Sequence, residues 1–260
     1  MHICIIGTCR LQNPLSHHGH ISECGLQGQF VHTTPEIIQR IDFLKGNLFL
    51  DNMVDYIFRK PIDQSKFRPI DFDKVDLFVI EVCSIKLASF NEFYLQGNKL
   101  DELLLKEKEH NFDNWMKAHQ FLRDSDKNKE LCKVGKNTYN IFDVLSCMQY
   151  EKQTYEMLEN DLKKILDSID KPTLFVNHIN MKKPDGCYIE TRDFLCRSMN
   201  DLSKKLKFNI FNPNEIVSKY DPKKMLMNEG TNVNHYSDFG EKVIGEYLVN
   251  KIGSILNERN

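Results

Sequence analysis

Short runs of consecutive apolar residues alternate along this chain with longer segments whose apolar residues recur every three to four positions. The first pattern predicts buried strands and the second amphipathic helices. Met1–Ile6 reads as a short buried strand that ends at Gly7-Thr8-Cys9-Arg10. Val75–Val82 (VDLFVIEV) is the clearest strand, nearly all apolar and rich in β-branched residues, as a central parallel strand should be. Thr173–Val176, after Pro172, and Phe208–Phe211 read as two more. Residues 48–58 hold a further apolar segment, read as a strand with an irregular continuation.

The helices carry punctuation. Thr34 fits an N-cap, Pro35 the first helical position and Gly46 the C-terminal end, around an apolar face of Ile37, Ile38, Ile41 and Leu44. Thr154–Ile169 places Tyr155, Leu158, Leu162, Ile165 and Leu166 on one side, and Arg192–Leu206 is another helix. Ser237 begins a long final helix with Val243, Ile244, Tyr247, Leu248, Ile252 and Ile255 facing inward. Leu11–Val31 reads as a polar loop rich in His and Gly. Residues 88–150 are charged and mostly helical in pattern and read as an insertion or cap, with Phe112 and Trp115 as core residues and the 99–130 charge run as a solvated face.

Strands alternating with helices predict a parallel sheet with helices on both faces, which is an α/β three-layer sandwich. Ligands in such sheets bind at the carboxyl ends of the strands. That rule gathers Cys9–Arg10, Cys83–Ser84 and Asn177–His178 along one rim. The length of 260 residues, with 41% hydrophobic residues, suits one large domain, taken here as 1–260 with the insertion at about 88–150.

Composition removes several classes. A net charge of −2 offers no basic surface for nucleic acid. No apolar run approaches the ~20 residues of a membrane span. His2–Gly7 is apolar but short and lacks a basic n-region, so a signal peptide is not expected and the expected location is cytoplasmic. The eight cysteines include no C-x-x-C pair and are expected to be free thiols. His17, His18, His20 and Cys24 are dense in the first loop but lack a recognised ligand framework, so no metal site is assigned and a solvated or substrate-facing loop is expected.

Two segments carry candidate chemistry. Gly7-Thr8-Cys9 places a thiol on a sharp strand-to-loop turn, where its own backbone N–H can serve an oxyanion. Asn232-Val233-Asn234-His235-Tyr236-Ser237-Asp238-Phe239-Gly240 places a histidine just before a capped terminal helix, with a carboxamide three residues upstream. A histidine base needs a partner on its far ring nitrogen to set its tautomer, and an asparagine can supply one.

On these two segments the chain resembles the SGNH (GDSL-type) hydrolase superfamily. That family carries Gly-Asp-Ser after its first strand and Asp-x-x-His before its last helix. The resemblance implies a flavodoxin-like SGNH fold with Cys9 in the serine position, His235 as the base and Asn232 in place of the aspartate, with Asp221 and Glu229 as rival orienters. An uncharged Asn232 suits a site in which Cys9 and His235 already form a thiolate–imidazolium pair.

The family's Gly-x-Asn is absent after the third-strand candidate, where Glu81-Val82-Cys83-Ser84 stands. Ser84 and Asn177 are alternative oxyanion donors, and Gly25 or Gly28 can take the place of the family's glycine. Asn177 and His178 either line the site or cap a loop, and Arg10 either holds an anionic donor or makes a surface ion pair.

Cysteine-bearing relatives in capsule and surface-polysaccharide pathways look like acetyltransferases. The resemblance therefore implies an acyl-transfer enzyme with no permanently bound cofactor, acetyl-CoA or another acyl-CoA as donor, and a sugar or glycan acceptor. A thiol-based esterase or deacetylase is one alternative. The other is a catalytically silent module that binds carbohydrate or protein.

Overall fold

The computed structural model describes residues 2–20, 26, 28–47, 51–106, 144, 147–183 and 185–258. Its centre is a parallel sheet of β1 (Ile3–Ile6), β2 (Leu77–Glu81), β6 (Thr173–Val176) and β7 (Asn209–Phe211), in the spatial order β1-β2-β6-β7. Side chains alternate across a strand, and here both sides are apolar. Cys4, Ile6, Phe78, Ile80 and Phe175 enter one core, while Ile3, Ile5, Leu77, Val79, Leu174 and Val176 enter the other. A sheet buried on both faces needs a helical layer on each.

The first layer holds α2 (Thr34–Leu44), α3 (Asp51–Ile57), α5 (Tyr155–Ile169) and α6 (Glu190–Leu206). The second holds α1 (Cys9–Ser16), α7 (Asn214–Val217), α8 (Pro222–Met225) and α9 (Asp238–Asn257). This is the three-layer α/β sandwich with a central parallel sheet that the sequence predicts.

Local departures have local causes. The expected loop after Cys9 begins instead with α1, capped by the Thr8 hydroxyl, which accepts the Arg10 N–H. Its apolar stripe is only Leu11 and Leu15, too short to show periodicity, yet both are fully buried. Burying two leucines contributes roughly 1.5–3 kcal/mol each, enough for tertiary packing to carry a short helix that contains Pro14. The expected strand in 48–58 is instead α3 over its described part, since Met53, Val54 and Ile57 meet the core at helical spacing.

The insertion at about 88–150 is flanked by strands. β3 (Lys86–Phe90) pairs antiparallel with both β4 (Phe93–Tyr94) and β5 (Gln149–Lys152), followed after β4 by α4 (Gly97–Lys106). Phe112, Trp115 and most of the charge run lie outside the described residues. A short hairpin of β8 (Leu226–Met227) and β9 (Asn232–Tyr236) precedes the last helix. It was not apparent from the sequence.

The position of α1 depends on how closely α9 can approach it. A Cβ on Gly245 would lie 2.3 Å from the Pro14 carbonyl oxygen and 2.6 Å from His18 Cδ2. Polar contacts brace the same interface: Asn13 Nδ2 donates to Glu241 Oε1 at 2.8 Å, and His17 Nε2 lies 3.1 Å from Glu241 Oε2. Gly253, two turns further along α9, would direct a Cβ into open space. Gly245→Ala is therefore expected to lower unfolding stability by ~1–3 kcal/mol through overpacking. Gly253→Ala is expected to raise it by up to ~1 kcal/mol through helix propensity. Urea titration of both variants checks the opposite signs; equal effects would remove Gly245 as the spacer between the two helices.

Candidate active site

The carboxyl ends of β1, β2 and β6 open onto a cleft of about 590 Å³. Cys9 lies in its wall as the first residue of α1, directly after the N-cap Thr8. Leu11 N–H and Gln12 N–H bond back to Thr8 O, and Arg10 N–H reaches Thr8 Oγ1. Among the described residues, that leaves the Cys9 N–H as the first-turn amide not taken by an acceptor. An amide at a helix N-terminus, where the macrodipole is positive, suits a developing oxyanion.

Glu81, at the end of β2, organises this turn. Its Oε2 accepts Thr8 N–H at 2.9 Å and the Thr8 hydroxyl at 2.5 Å, and its Oε1 accepts Arg10 Nε–H at 2.9 Å. The carboxylate is 1% exposed. Gly7 permits the approach, because a Cβ there would lie 2.8 Å from Glu81 Cβ. Burial works against the Arg10 charge, but Glu81 together with Cys83 and Cys9 holds the guanidinium ionised beyond the ordinary arginine range.

His235 reaches the cleft from β9. Its Nδ1 lies 3.7 Å from Cys9 Sγ, across 226 residues of sequence. Two arginines hold this strand by its carbonyls. Arg10 donates to Asn234 O at 3.2 Å, and Arg192 of α6 donates to Val233 O at 2.9 Å and to Asn234 Oδ1.

Burial, aided by Glu81 and opposed by Arg10, pushes the Cys9 thiol above its ordinary range. Burial, then the Arg10 charge, pushes His235 below its own. Both shifts favour the uncharged forms of the two groups.

The other sequence-read residues divide. His178, just beyond β6, lines the cleft, is 4% exposed, and has a buried Nδ1 without a hydrogen-bond partner. Burial and the nearby Arg10 and Arg192 charges hold it neutral, well below the usual histidine range. Asn177 turns away from the cleft, with Nδ2 donating to Cys196 O at 3.3 Å and Asn200 Oδ1 at 3.2 Å. The Ser84 hydroxyl accepts Lys86 N–H at 3.0 Å. Asn232 Oδ1 accepts Asn234 N–H at 3.0 Å, so its described bond is to its own strand and not to the His235 ring.

His17 and His18 contact α9, through Glu241 and the Lys242 carbonyl, and Cys24 lies outside the described residues. Among the described residues no group of three acidic, His or Cys side chains is placed to hold a metal. None of the described helices is long and apolar enough to cross a membrane.

Cys83, placed on the rim by the strand-end rule, does line the cleft, whereas Phe30, His32, Arg59, Asn98 and Asn234 carried no such signal. Behind the cleft, Glu81 left a signal as a lone carboxylate inside an apolar strand, where an unpaired charge is not tolerated.

Comparison with known proteins adds a family to this geometry. The chain is 23% identical over 258 residues to the Vi polysaccharide biosynthesis protein TviD of Salmonella typhi, covering 92% of this chain and 30% of that protein. It therefore spans about 30% of the length of the curated relative it matches. Among solved structures, an inhibitor-bound aryl esterase of M. smegmatis aligns at a TM-score of 0.37 and 9% identity, over 98% of this chain and 99% of that one. Residues 1–251, from the first strand through most of the last helix, match the TviD N-terminal domain, and the chain belongs to that family.

Proposed function

We propose that this chain is a cysteine-dependent acyl-transfer enzyme that moves an acyl group from a thioester donor, such as acetyl-CoA, to a hydroxyl or amine of a sugar or glycan. The observation that carries the reading is the 3.7 Å approach of Cys9 Sγ and His235 Nδ1 in an open cleft at the carboxyl edge of the sheet. The polysaccharide-biosynthesis name of the relative supports a glycan acceptor. A cytosolic setting fits a reduced nucleophile and an acyl-CoA donor.

In this mechanism Cys9 Sγ attacks the donor carbonyl while His235 Nδ1 takes the thiol proton. The carbonyl oxygen becomes an oxyanion, received by the Cys9 N–H and by His178. A buried nitrogen without a partner costs less as a bare lone pair than as an orphaned N–H. His178 therefore keeps its proton on Nε2, as a neutral donor. The donor's C–S bond breaks, and the imidazolium returns the proton to the departing thiolate. His235 then takes a proton from the acceptor, which attacks the acyl-Cys9 thioester, and the Cys9 thiolate leaves and is reprotonated.

A thioester donor and an acyl-cysteine are of similar free energy, so loading is near balance and transfer to an alcohol or amine runs downhill. In this reading Asn232 positions His235 indirectly, by fixing the strand that carries it.

Three measurements test this reading. Intact-protein mass spectrometry with acetyl-CoA is expected to show an acetyl adduct on Cys9 that a sugar acceptor discharges. The adduct should be absent in Cys9→Ala and formed ~10²–10⁴-fold more slowly in His235→Ala. Hydrolysis of simple esters without any adduct from acyl-CoA donors would replace transfer with a thiol esterase or deacetylase. Neither activity would leave a binding module.

The pH dependence follows from the lowered His235 and raised Cys9 values. The rate should fall only below the unperturbed histidine pKa of about 6.5, as His235 becomes protonated. It should stay level from there to about pH 8.5, where a free thiol ordinarily ionises. A bell with an alkaline limb inside that window would instead indicate a reactive thiolate–imidazolium pair.

His178→Ala is expected to lower kcat by roughly 10²–10³-fold with little change in KM, the signature of a lost oxyanion donor. His178→Asn should recover part of it. A change confined to KM would make His178 a binding residue only.

A further inference from the structure

The acyl-transfer reading leaves part of the cleft lining without a role, and the lining as a whole has a marked electrostatic character. Among the described residues the lining contains Arg10, Arg59, His32, His178 and His235 and no carboxylate. Of the nearby arginines, Arg10 is committed to Glu81 and to Asn234 O. Arg192 is committed to Val233 O, Ile179 O and Asn234 Oδ1. Arg59 differs. Its guanidinium lies over the Phe30 ring, with Cζ 4.6 Å from the centroid, and among the described residues it makes no salt bridge.

A guanidinium with one face against an aromatic ring is held in orientation while its N–H edge stays available. That edge matches the two oxygens of a phosphate or carboxylate in a bidentate fork. A cleft walled by low-dielectric protein and lined by one sign of charge concentrates counter-ions. The volume of about 590 Å³ falls within the range of small-molecule sites.

Building on the acyl-transfer reading, we propose that Arg59, stacked on Phe30, anchors an anionic group of the substrate whose acyl chemistry occurs at Cys9. Two sources share this chemistry. One is a phosphate of a coenzyme A thioester donor, and the other is the carboxylate of an acidic sugar acceptor. In either case Arg59 holds the charged end while the reacting end reaches Cys9 and His235. Of the two roles open to Arg10 from sequence, an anionic donor or an ion pair, its Nε makes the ion pair with Glu81, which leaves Arg59 as the described cation suited to anion binding.

The test is equilibrium binding by calorimetry on Cys9→Ser, which separates binding from acyl transfer. Two probe pairs are titrated: coenzyme A against pantetheine, and glucuronate against glucose. At least one anionic probe is expected to bind roughly tenfold or more tightly than its neutral counterpart, as a charge-assisted fork should. The preference should shrink with added salt.

Adding Arg59→Met should abolish the preference and Arg59→Lys should retain part of it, while Lys60→Met, at the exposed neighbouring position, should leave it intact. If Arg59→Met does not fold, Arg59→Gln serves the same comparison. A preference within the coenzyme A pair assigns the anchor to the donor, and one within the glucuronate pair assigns it to the acceptor. No preference in either pair, or one that survives loss of Arg59, overturns the proposal. Anion binding that depends on Arg59 without any acyl adduct on wild-type Cys9 would instead overturn the acyl-transfer reading and leave the anchor standing.

Discussion

The arrangement around Cys9 depends on one buried carboxylate. Glu81 sits at the end of a central strand at 1% exposure, and its charge is tolerable there only because donors surround it. Thr8 supplies two of them and Arg10 a third, so satisfying Glu81 fixes the turn from β1 into α1 and with it the position of Cys9. Arg10 extends the constraint across the cleft to Asn234 O, beside His235. One ion pair thereby connects the nucleophile candidate, the base candidate and two adjacent strands. Such a pair adds little net stability compared with an apolar replacement, but removing one partner strands the other and costs about 3–5 kcal/mol. Its role is geometric specification.

The same network sets the protonation of the site. Burial and then Arg10, with a smaller part from Arg192, push His235 below the ordinary histidine range against the opposing Glu241 and Glu81 charges. Glu81 offsets much of what Arg10 would otherwise do to the Cys9 thiol. In the proposed mechanism, a neutral base beside a neutral thiol is a pair arranged for proton transfer during attack. It also needs no charged third member to stabilise a resting imidazolium, which accords with an asparagine at position 232 that bonds to its own strand.

Legibility in the sequence tracked the range of the interactions concerned. The central strands were readable because runs such as Val75–Val82 are apolar on both faces, and the long helices because their stripes repeat over several turns. The helix α1 was not readable: two leucines and a cap make no periodic signal, and its stability comes from contact with α9, more than 220 residues later. The α3 segment misled because a short apolar run is compatible with strand or helix until the core decides. The part of the cleft wall made by Phe30 and Arg59 was the least legible. Both are ordinary residues in sequence and acquire meaning only when stacked in the lining of the cleft that holds Cys9.

By itself the sequence determined the α/β class, the strand-end position of Cys9 and the position of His235 ahead of a capped final helix. Each is written in local pattern, in apolar runs, caps and short motifs whose physical basis lies within a few residues. Tertiary structure alone decided which polar atoms are free and which are taken. Asn177 is drawn into α6, Ser84 is tied to its own turn, and Asn232 is held on its strand, while His178 and Arg59 are left facing the cleft. The reason is that a side chain's availability for chemistry depends on the competing donors and acceptors around it. At Asn177 they arrive from α6, 19 and 23 residues away, and at Ser84 and Asn232 from two residues along the same segment, where only the folded backbone brings them into reach.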